Sequence, residues 1–337
     1  MSFTIKDVAK KANVSIATVS RIINNKPGYS KETEEKVLQV IEELGYHPNS
    51  IARGLINKRT HTIGVLVPKL SSMIITEFIR GIEDITHHNG SSVIVCHTES
   101  NGKKTMKYLQ LLYEKQVDGI IFVSEELKEE YYQFINRMKI PIVLLSTETY
   151  QFPVPYVKVN DQHAAFSATE FLIKKGHRNI GMVSGNKEDM VAGQSRINGF
   201  MQAMKHYQLP VSEKHFVSES GFGFDDGRNG LPRLMKQYPD ITAVFAASDE
   251  IAFGILSSAY TMKINVPEQL SVIGYDNLSI AEMSIPPLTT VAQPLVEMGE
   301  MATKMILEII NTNQKVESKI VAHRIVERES VRDLTNE

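Results

Sequence analysis

The chain has 337 residues, 42% hydrophobic and 23% charged, a balance that suits two or three folded domains and excludes a disordered chain. A lone cysteine, Cys96 in "SSVIVC", excludes an internal disulfide and any multi-cysteine metal site, and no apolar run is long enough to cross a bilayer. The net charge of −2 hides a basic start: residues 1–60 hold ten Lys and Arg against six Asp and Glu, the sign expected of a module that faces phosphates. The opening "MSFTIKDVAKKANV" lacks the charged-then-apolar layout of a secretion signal, so the expected location is the cytoplasm.

In chain order, "TIKDVAKKANVS" predicts a helix that opens at Thr4, with Asp7 three residues on, buries Val8, Ala9 and Ala12, and ends near Asn13. Ser15 caps a second helix whose inner side is Val19, Ile22 and Ile23, leaving Ile16, Ala17, Ser20 and Arg21 on a narrow outer face. After the turn "NKPGYS", Ser30 caps a third helix with an expected buried stripe of Val37, Leu38, Ile41 and Leu44, stopped by Gly45. Three short helices with a tight first turn form a helix-turn-helix unit. The second helix is slim enough to enter a major groove, where Arg21 can fork onto guanine while Ile16 and Ala17 touch thymine methyls. An ordinary three-helix cap on a larger protein is the competing reading.

Pro48 then breaks the chain, and "HPNSIARGLINKRTH" reads either as a linker or as a two-turn helix, too short to be stable alone in water. From Ile63 apolar strands alternate with amphipathic helices, from "TIGVLV" to "IPIVLLS" and again from "ATEFLIKKG" to "LSVIGYD". Such alternation predicts parallel sheets covered by helices, and the correspondence of the two series predicts two similar lobes. Ligands of open parallel sheets bind beyond the carboxyl ends of the strands. That rule points to Ser71 and Ser72, Gly185 and Asn186, Ser248 and Asp249, and Asp276 with Asn277.

"TIKDVAKKANVSIATVSRIIN", "ELGYHPNSIARGL" and "TIGVLVP" resemble the LacI/GalR family of bacterial transcription regulators, and the resemblance runs nearly end to end. It implies a small all-α helix-turn-helix headpiece (1–47), a hinge helix and linker (48–60), and an α/β two-lobed core like the periplasmic binding proteins (61–337). Lobe 1 would take about 61–160 plus 292–322, and lobe 2 about 161–291 plus 323–337. It makes Ile16, Ala17 and Arg21 base-reading positions, and Thr4, Ser15, Thr18, Asn24, Tyr29, Ser30, Thr33 and Asn49 phosphate-holding ones, which position without specifying. Leu55 would wedge into the minor groove from a hinge helix that orders on DNA, with Arg53 at the groove edge. The implied effector contacts are Ser71, Ser72, Asn160, Arg196, Ser248, Asp249 and Asp276, with Arg196 on the family's effector-contacting arginine.

The chain departs from the family in three places. "SSMIIT" puts Ile74 and Ile75 where many sugar-responsive members carry an aromatic ring; Asn160-Asp161 stands where Asp usually comes first; and Lys304 lacks the neighbouring arginine pair with which some members dock a phosphorylated carrier protein. The expectation is therefore a repressor of carbohydrate-use genes that binds a pseudo-palindromic operator as a homodimer and answers to a sugar or sugar phosphate, with control by a phosphocarrier protein as the alternative. A sugar-binding protein without DNA activity and a crevice enzyme are the other rivals. No cofactor is implied. "NIGMVSGN" misses the nucleophile pattern at Met182, His87-His88 and Asp225-Asp226 lack metal-ligand partners at usable spacing, and "GFGFDDGRNG" reads as a turn.

Overall fold

The computed structural model describes residues 3–23, 26–46, 59–99 and 104–335. The chain divides into two compact units, Met1–His61 and Thr62–Glu337.

In the first unit, α1 (Ile5–Ala12) opens where the Asp7 carboxylate accepts from the Thr4 backbone N–H at 2.8 Å and from its hydroxyl at 2.7 Å. Asn13, in the left-handed conformation at φ 54°, ends it. Ser15 caps α2 (Ile16–Ile23) by accepting from the Thr18 N–H at 3.0 Å. Ser30 caps α3 (Lys31–Leu44) in the same way through Thr33, at 3.2 Å. Val8, Ala9, Ala12, Val19, Ile22, Val37 and Val40 form the headpiece core, with Ile41 and Leu44 packed against it. The expected stripe of α3 is corrected at one position: Leu38 is 49% exposed, and Val40 takes its place. The cause is helical spacing, since 37, 40, 41 and 44 share a face that 38 does not.

The second unit begins with β1 (Thr62–Val67), α4 (Met73–His88), β2 (Ser92–His97), α5 (Thr105–Glu114), β3 (Gly119–Val123), α6 (Glu129–Met138), β4 (Ile142–Leu145) and β5 (Tyr156–Val159). It continues with α7 (Asp161–Lys174), β6 (Ile180–Ser184), α8 (Gly193–His206), β7 (Phe216–Ser218), α9 (Phe224–Gln237), β8 (Ala243–Ala246), α10 (Asp249–Thr261), β9 (Ser271–Asp276), α11 (Ser279–Met283) and β10 (Thr289–Ala292). Then α12 (Leu295–Thr312) packs on α4, β11 (Lys319–Val321) joins the first sheet and β12 (Arg324–Val326) the second.

The first sheet runs β2-β1-β3-β4-β5-β11 and the second β7-β6-β8-β9-β10-β12, the same winding twice. Every pairing is parallel except β10 with β12. Strands β3, β6, β8 and β9 are buried along their whole length, as strands covered on both faces must be. The chain passes between the sheets three times: from β5 to α7, from β10 to α12 and from β11 to β12.

"GFGFDDGRNG" is not a turn but the opening of α9. The Asp226 carboxylate accepts from the Gly223 N–H at 2.9 Å and fixes the start of the helix. A Cβ at Gly227 would lie 1.9 Å from the Ile251 carbonyl oxygen, so glycine there lets α9 and α10 meet backbone to backbone. The sequence reading missed this because glycines weaken a helical pattern that close packing here requires. Among the described residues, no helix is long and apolar enough to cross a membrane.

Candidate functional site

In the headpiece, Ile16 is 45% exposed, and Ala17 and Arg21 stand exposed beside it on the outer face of α2, while Val19 and Ile22 anchor the inner one. Arg21 lies along the turn before α3, where a Cβ on Gly28 would come within 3.1 Å of its Nη1. Gly28 has φ +117°, which a side chain would strain as well. The predicted phosphate-holding hydroxyls pair off at helix starts: Ser15 with Thr18 at 2.9 Å and Ser30 with Thr33 at 2.8 Å. Helix N-termini aim their free N–H groups and positive dipole ends outward, which suits phosphate oxygens. Thr4 bonds Asp7, and Tyr29 packs against the headpiece core. Asn24, Asn49, Arg53 and Leu55 lie outside the described residues, with most of the hinge segment.

In the second unit, Arg196 on α8 is buried between the lobes' crossover and the sheet of lobe 2. Its Nε and Nη2 donate to Asp161 Oδ1 at 3.0 and 2.9 Å, and its Nη1 donates to the Ala247 carbonyl. The guanidinium stacks 3.8 Å from the Tyr275 ring centre, and Phe222 lies 5.6 Å away. Tyr275 also donates its hydroxyl to Asp161 Oδ1, at 3.0 Å. Lys158, buried on β5, reaches Glu148 at 2.6 Å and Asp161 at 3.7 Å. Charges of alternating sign thus run Glu148, Lys158, Asp161, Arg196, from lobe 1 through the β5–α7 crossover into lobe 2.

Asp276, at the carboxyl end of β9, accepts from Gln293 at 2.8 Å, a residue of the β10–α12 crossover. Burial pushes the Asp276 carboxyl up to about 7, with the Arg196 charge and the Gln293 bond opposing. Burial raises the Tyr275 hydroxyl too, and the Asp161 carboxylate adds to the rise. Arg196 stacks on Tyr275, the residue before Asp276, so the structure places the guanidinium and the Asp276 carboxyl in one neighbourhood. Ser72 is engaged elsewhere, by the opposite lobe: Glu250 Oε1, on α10, accepts from the Ser72 hydroxyl at 3.2 Å and from the Met73 N–H at 3.0 Å. A carboxylate of lobe 2 thereby closes on the first turn of α4 in lobe 1, a favourable place for negative charge.

The other predicted contacts stand differently. Asp249 is turned into the lobe, where it accepts from the Leu278 N–H at 2.7 Å and from the Thr290 hydroxyl. Ser248 caps α10 through the Ile251 N–H at 3.0 Å and donates to the Phe222 carbonyl at 2.7 Å. Asn160 caps α7, accepting from the His163 N–H at 3.0 Å, and borders a concavity on the outer α7–α8 face with Phe166, Gln202 and His206. Ser71 is exposed. Ile75, in the place of the family's ring, is buried in the core, and Ile74 packs against it. The rings near Arg196 are Tyr275 and Phe222, the latter in the "GFGF" stretch that the sequence pattern marks only as a turn.

Asp161, Tyr275, Lys158, Glu250 and Gln293 were missed as well. Only the Asn160-Asp161 inversion signalled any of them. Among the described residues, the buried hydroxyls of Thr147 and Ser184 have no hydrogen-bond partner. Both stand at carboxyl ends of strands, β4 and β6, where a ligand's polar groups would satisfy them.

Residues 4–49 match the family model of bacterial regulatory proteins of the lacI family, and residues 169–331 that of the periplasmic binding protein-like domain. Catabolite control protein A of Priestia megaterium is 37% identical over 334 residues, covering 98% of this chain and 100% of that protein. The ribose operon repressor of Halalkalibacterium halodurans is 35% identical, covering 91% of this chain and 90% of its own. A solved complex of the transcriptional regulator CelR with cellobiose is 28% identical, with a TM-score of 0.75 and coverage of 97% and 99%. The lac repressor dimer bound to operator and the anti-inducer ONPF has a TM-score of 0.89 at 24% identity, over 98% and 100%, and shares the fold.

Proposed function

Because the chain belongs to the lacI family of bacterial regulatory proteins, transcriptional regulators and not enzymes, we propose that it represses carbohydrate-use genes, binding a pseudo-palindromic operator as a dimer under control of a small sugar-like effector in the interlobe crevice. The observation that carries the reading is the buried Arg196 beside Asp276, a donor and an acceptor for hydroxyls, set where two lobes meet. Two relatives are named for sugars, ribose and cellobiose.

One headpiece spans a few base pairs, so a dimer reads two half-sites, Ile16, Ala17 and Arg21 reading bases and the hydroxyls of Thr4, Ser15, Thr18, Tyr29, Ser30 and Thr33 holding phosphates. Asn24 and Asn49 belong with the second group, and Leu55 and Arg53 with the minor groove. Exposed apolar residues of lobe 2, Phe253, Tyr260, Met262, Met283 and Ile285, supply a surface for the partner copy. An effector bridging Arg196, Asp276 and Ser72 favours one lobe arrangement, and the state that binds it better binds DNA with a different affinity. The protein works in the cytoplasm, where its operators are.

Control by a phosphorylated carrier protein is the weaker reading, because Lys304 on α12 is already paired with Glu300 at 2.9 Å. The test is selection of bound duplexes from a random pool, with and without a panel of sugars. Enrichment of an inverted repeat whose yield changes with one sugar supports the proposal. Failure to enrich any inverted repeat under every condition defeats it.

A further inference from the structure

Resting on that crevice reading, we infer that the effector is an uncharged polyhydroxylated molecule and not a sugar phosphate, because Asp161 holds the Arg196 guanidinium as a neutralised pair. A phosphate dianion buried in the crevice needs cations with unspent charge, preferably a guanidinium offering its fork. Arg196 does not offer one. Three of its five N–H groups are used, two on Asp161 and one on the Ala247 carbonyl, and its positive charge is balanced by a buried carboxylate at 2.9 Å.

Among the described residues, the other cations near the crevice are paired or open to solvent, where their charge is screened. Lys158 lies between Glu148 and Asp161. Arg328 donates to the Leu288 carbonyl and to Asn277 Oδ1. Lys69, near the Glu250 carboxylate, and Lys187 are exposed to solvent. Glu148 and Asp161 cancel Lys158 and Arg196, and the acids beyond those pairs, Glu250 and Asp276, add no attraction for an anion. The groups left over are those that hydroxyls use: two guanidinium N–H groups, the second oxygen of the Asp276 carboxyl, and the unpartnered hydroxyls of Thr147 and Ser184.

Asp161 is therefore a positioning residue that also sets specificity. It fixes the plane of the guanidinium and cancels the charge that would draw a phosphate. In the family the carboxylate usually stands one position earlier, at the place of Asn160, so the shift gives this chain its own arrangement.

The experiment is titration calorimetry of the full chain with glucose, ribose and cellobiose, set against glucose 6-phosphate and ribose 5-phosphate. The expected result is saturable binding of an unphosphorylated sugar, with its phosphate weaker by on the order of tenfold or more. The affinity should stay nearly constant between about 0.05 and about 0.5 M salt at fixed pH, since the sugar itself carries no charge. Asp161→Asn should narrow the ratio between sugar and phosphate by weakening the first and strengthening the second. Where that variant fails to fold, the salt series on the unaltered protein decides.

Tighter binding of a phosphate than of its parent sugar, weakening with salt and lost in Arg196→Ala, overturns the inference while leaving the crevice reading intact. Sugar binding that survives Arg196→Ala, or no binding of either class, overturns both.

Discussion

Asp161 and Arg196 are 35 positions apart in sequence, yet one oxygen of the carboxylate accepts from both Nε and Nη2 of the guanidinium, inside the protein. Asp161 is the first residue after a crossover between the lobes, so the proposed effector site is built onto the joint about which the lobes would move.

Glu250 joins the lobes a second time. Glu250→Ala removes the acceptor of the Ser72 hydroxyl and the Met73 N–H, and a hydrogen bond to a charged group contributes about 1.5–3 kcal/mol. Part of that is lost to solvent here, because the pair is only half buried. The variant should favour separated lobes and bind effector about 3- to 10-fold more weakly at nearly unchanged thermal stability. Small-angle scattering and calorimetry measure both, and a variant with the parent's radius and affinity would remove the clasp from the mechanism.

Asp249, by contrast, should act on stability. Asp249→Ala leaves the Leu278 N–H and the Thr290 hydroxyl without their partner in a fully buried place, at a cost of about 2–5 kcal/mol. Urea unfolding reads the loss. A variant as stable as the parent with weakened effector binding would instead make Asp249 a ligand contact.

The Asp276 carboxyl, pushed up to about 7 by burial, sets a pH dependence. Effector hydroxyls donate to its ionised form and lower its pKa, so affinity should rise between about pH 6 and 8, with protons released on binding. Without effector the sign for stability is opposite. The folded value exceeds the reference value of 3.8, so the contribution of the neutral carboxyl is full below that value and is lost as pH rises through about 7. Calorimetry in buffers of different ionisation enthalpy checks the proton release, and proton uptake would contradict it.

In the headpiece, Arg21→Ala should weaken operator binding by about 1–3 kcal/mol and relax preference at one base position in each half-site. Binding to operators substituted one base at a time tests this. Equal loss on every sequence would assign Arg21 to a phosphate.

Much of the architecture was legible because it follows from local periodicity. The caps Ser15 and Ser30, the inner residues Val8, Val19 and Ile22, and the doubled alternation of strands and helices are all near-neighbour patterns, and each appears in the structure as read. The "GFGFDDGRNG" stretch was misread because the deciding contact, Gly227 against Ile251, is with another element, whereas Leu38 was assigned to the wrong face of its own helix.

The site divides along the same line. Arg196 and Asp276 were singled out from their places on the chain, Asp276 at the end of a strand and Arg196 within a family motif. Which of their atoms are free, and which are held by Asp161, Tyr275 and Gln293, depends on three crossovers that bring distant segments to one buried point. Sequence determined the helices, the strands and the small outward face of α2, because backbone preference and hydrophobic spacing act over a few residues. Tertiary structure alone decided that Asp249 staples and Asp161 holds the arginine, because the role of a buried charge is set by whatever opposite charge or dipole lies within a few ångströms in space.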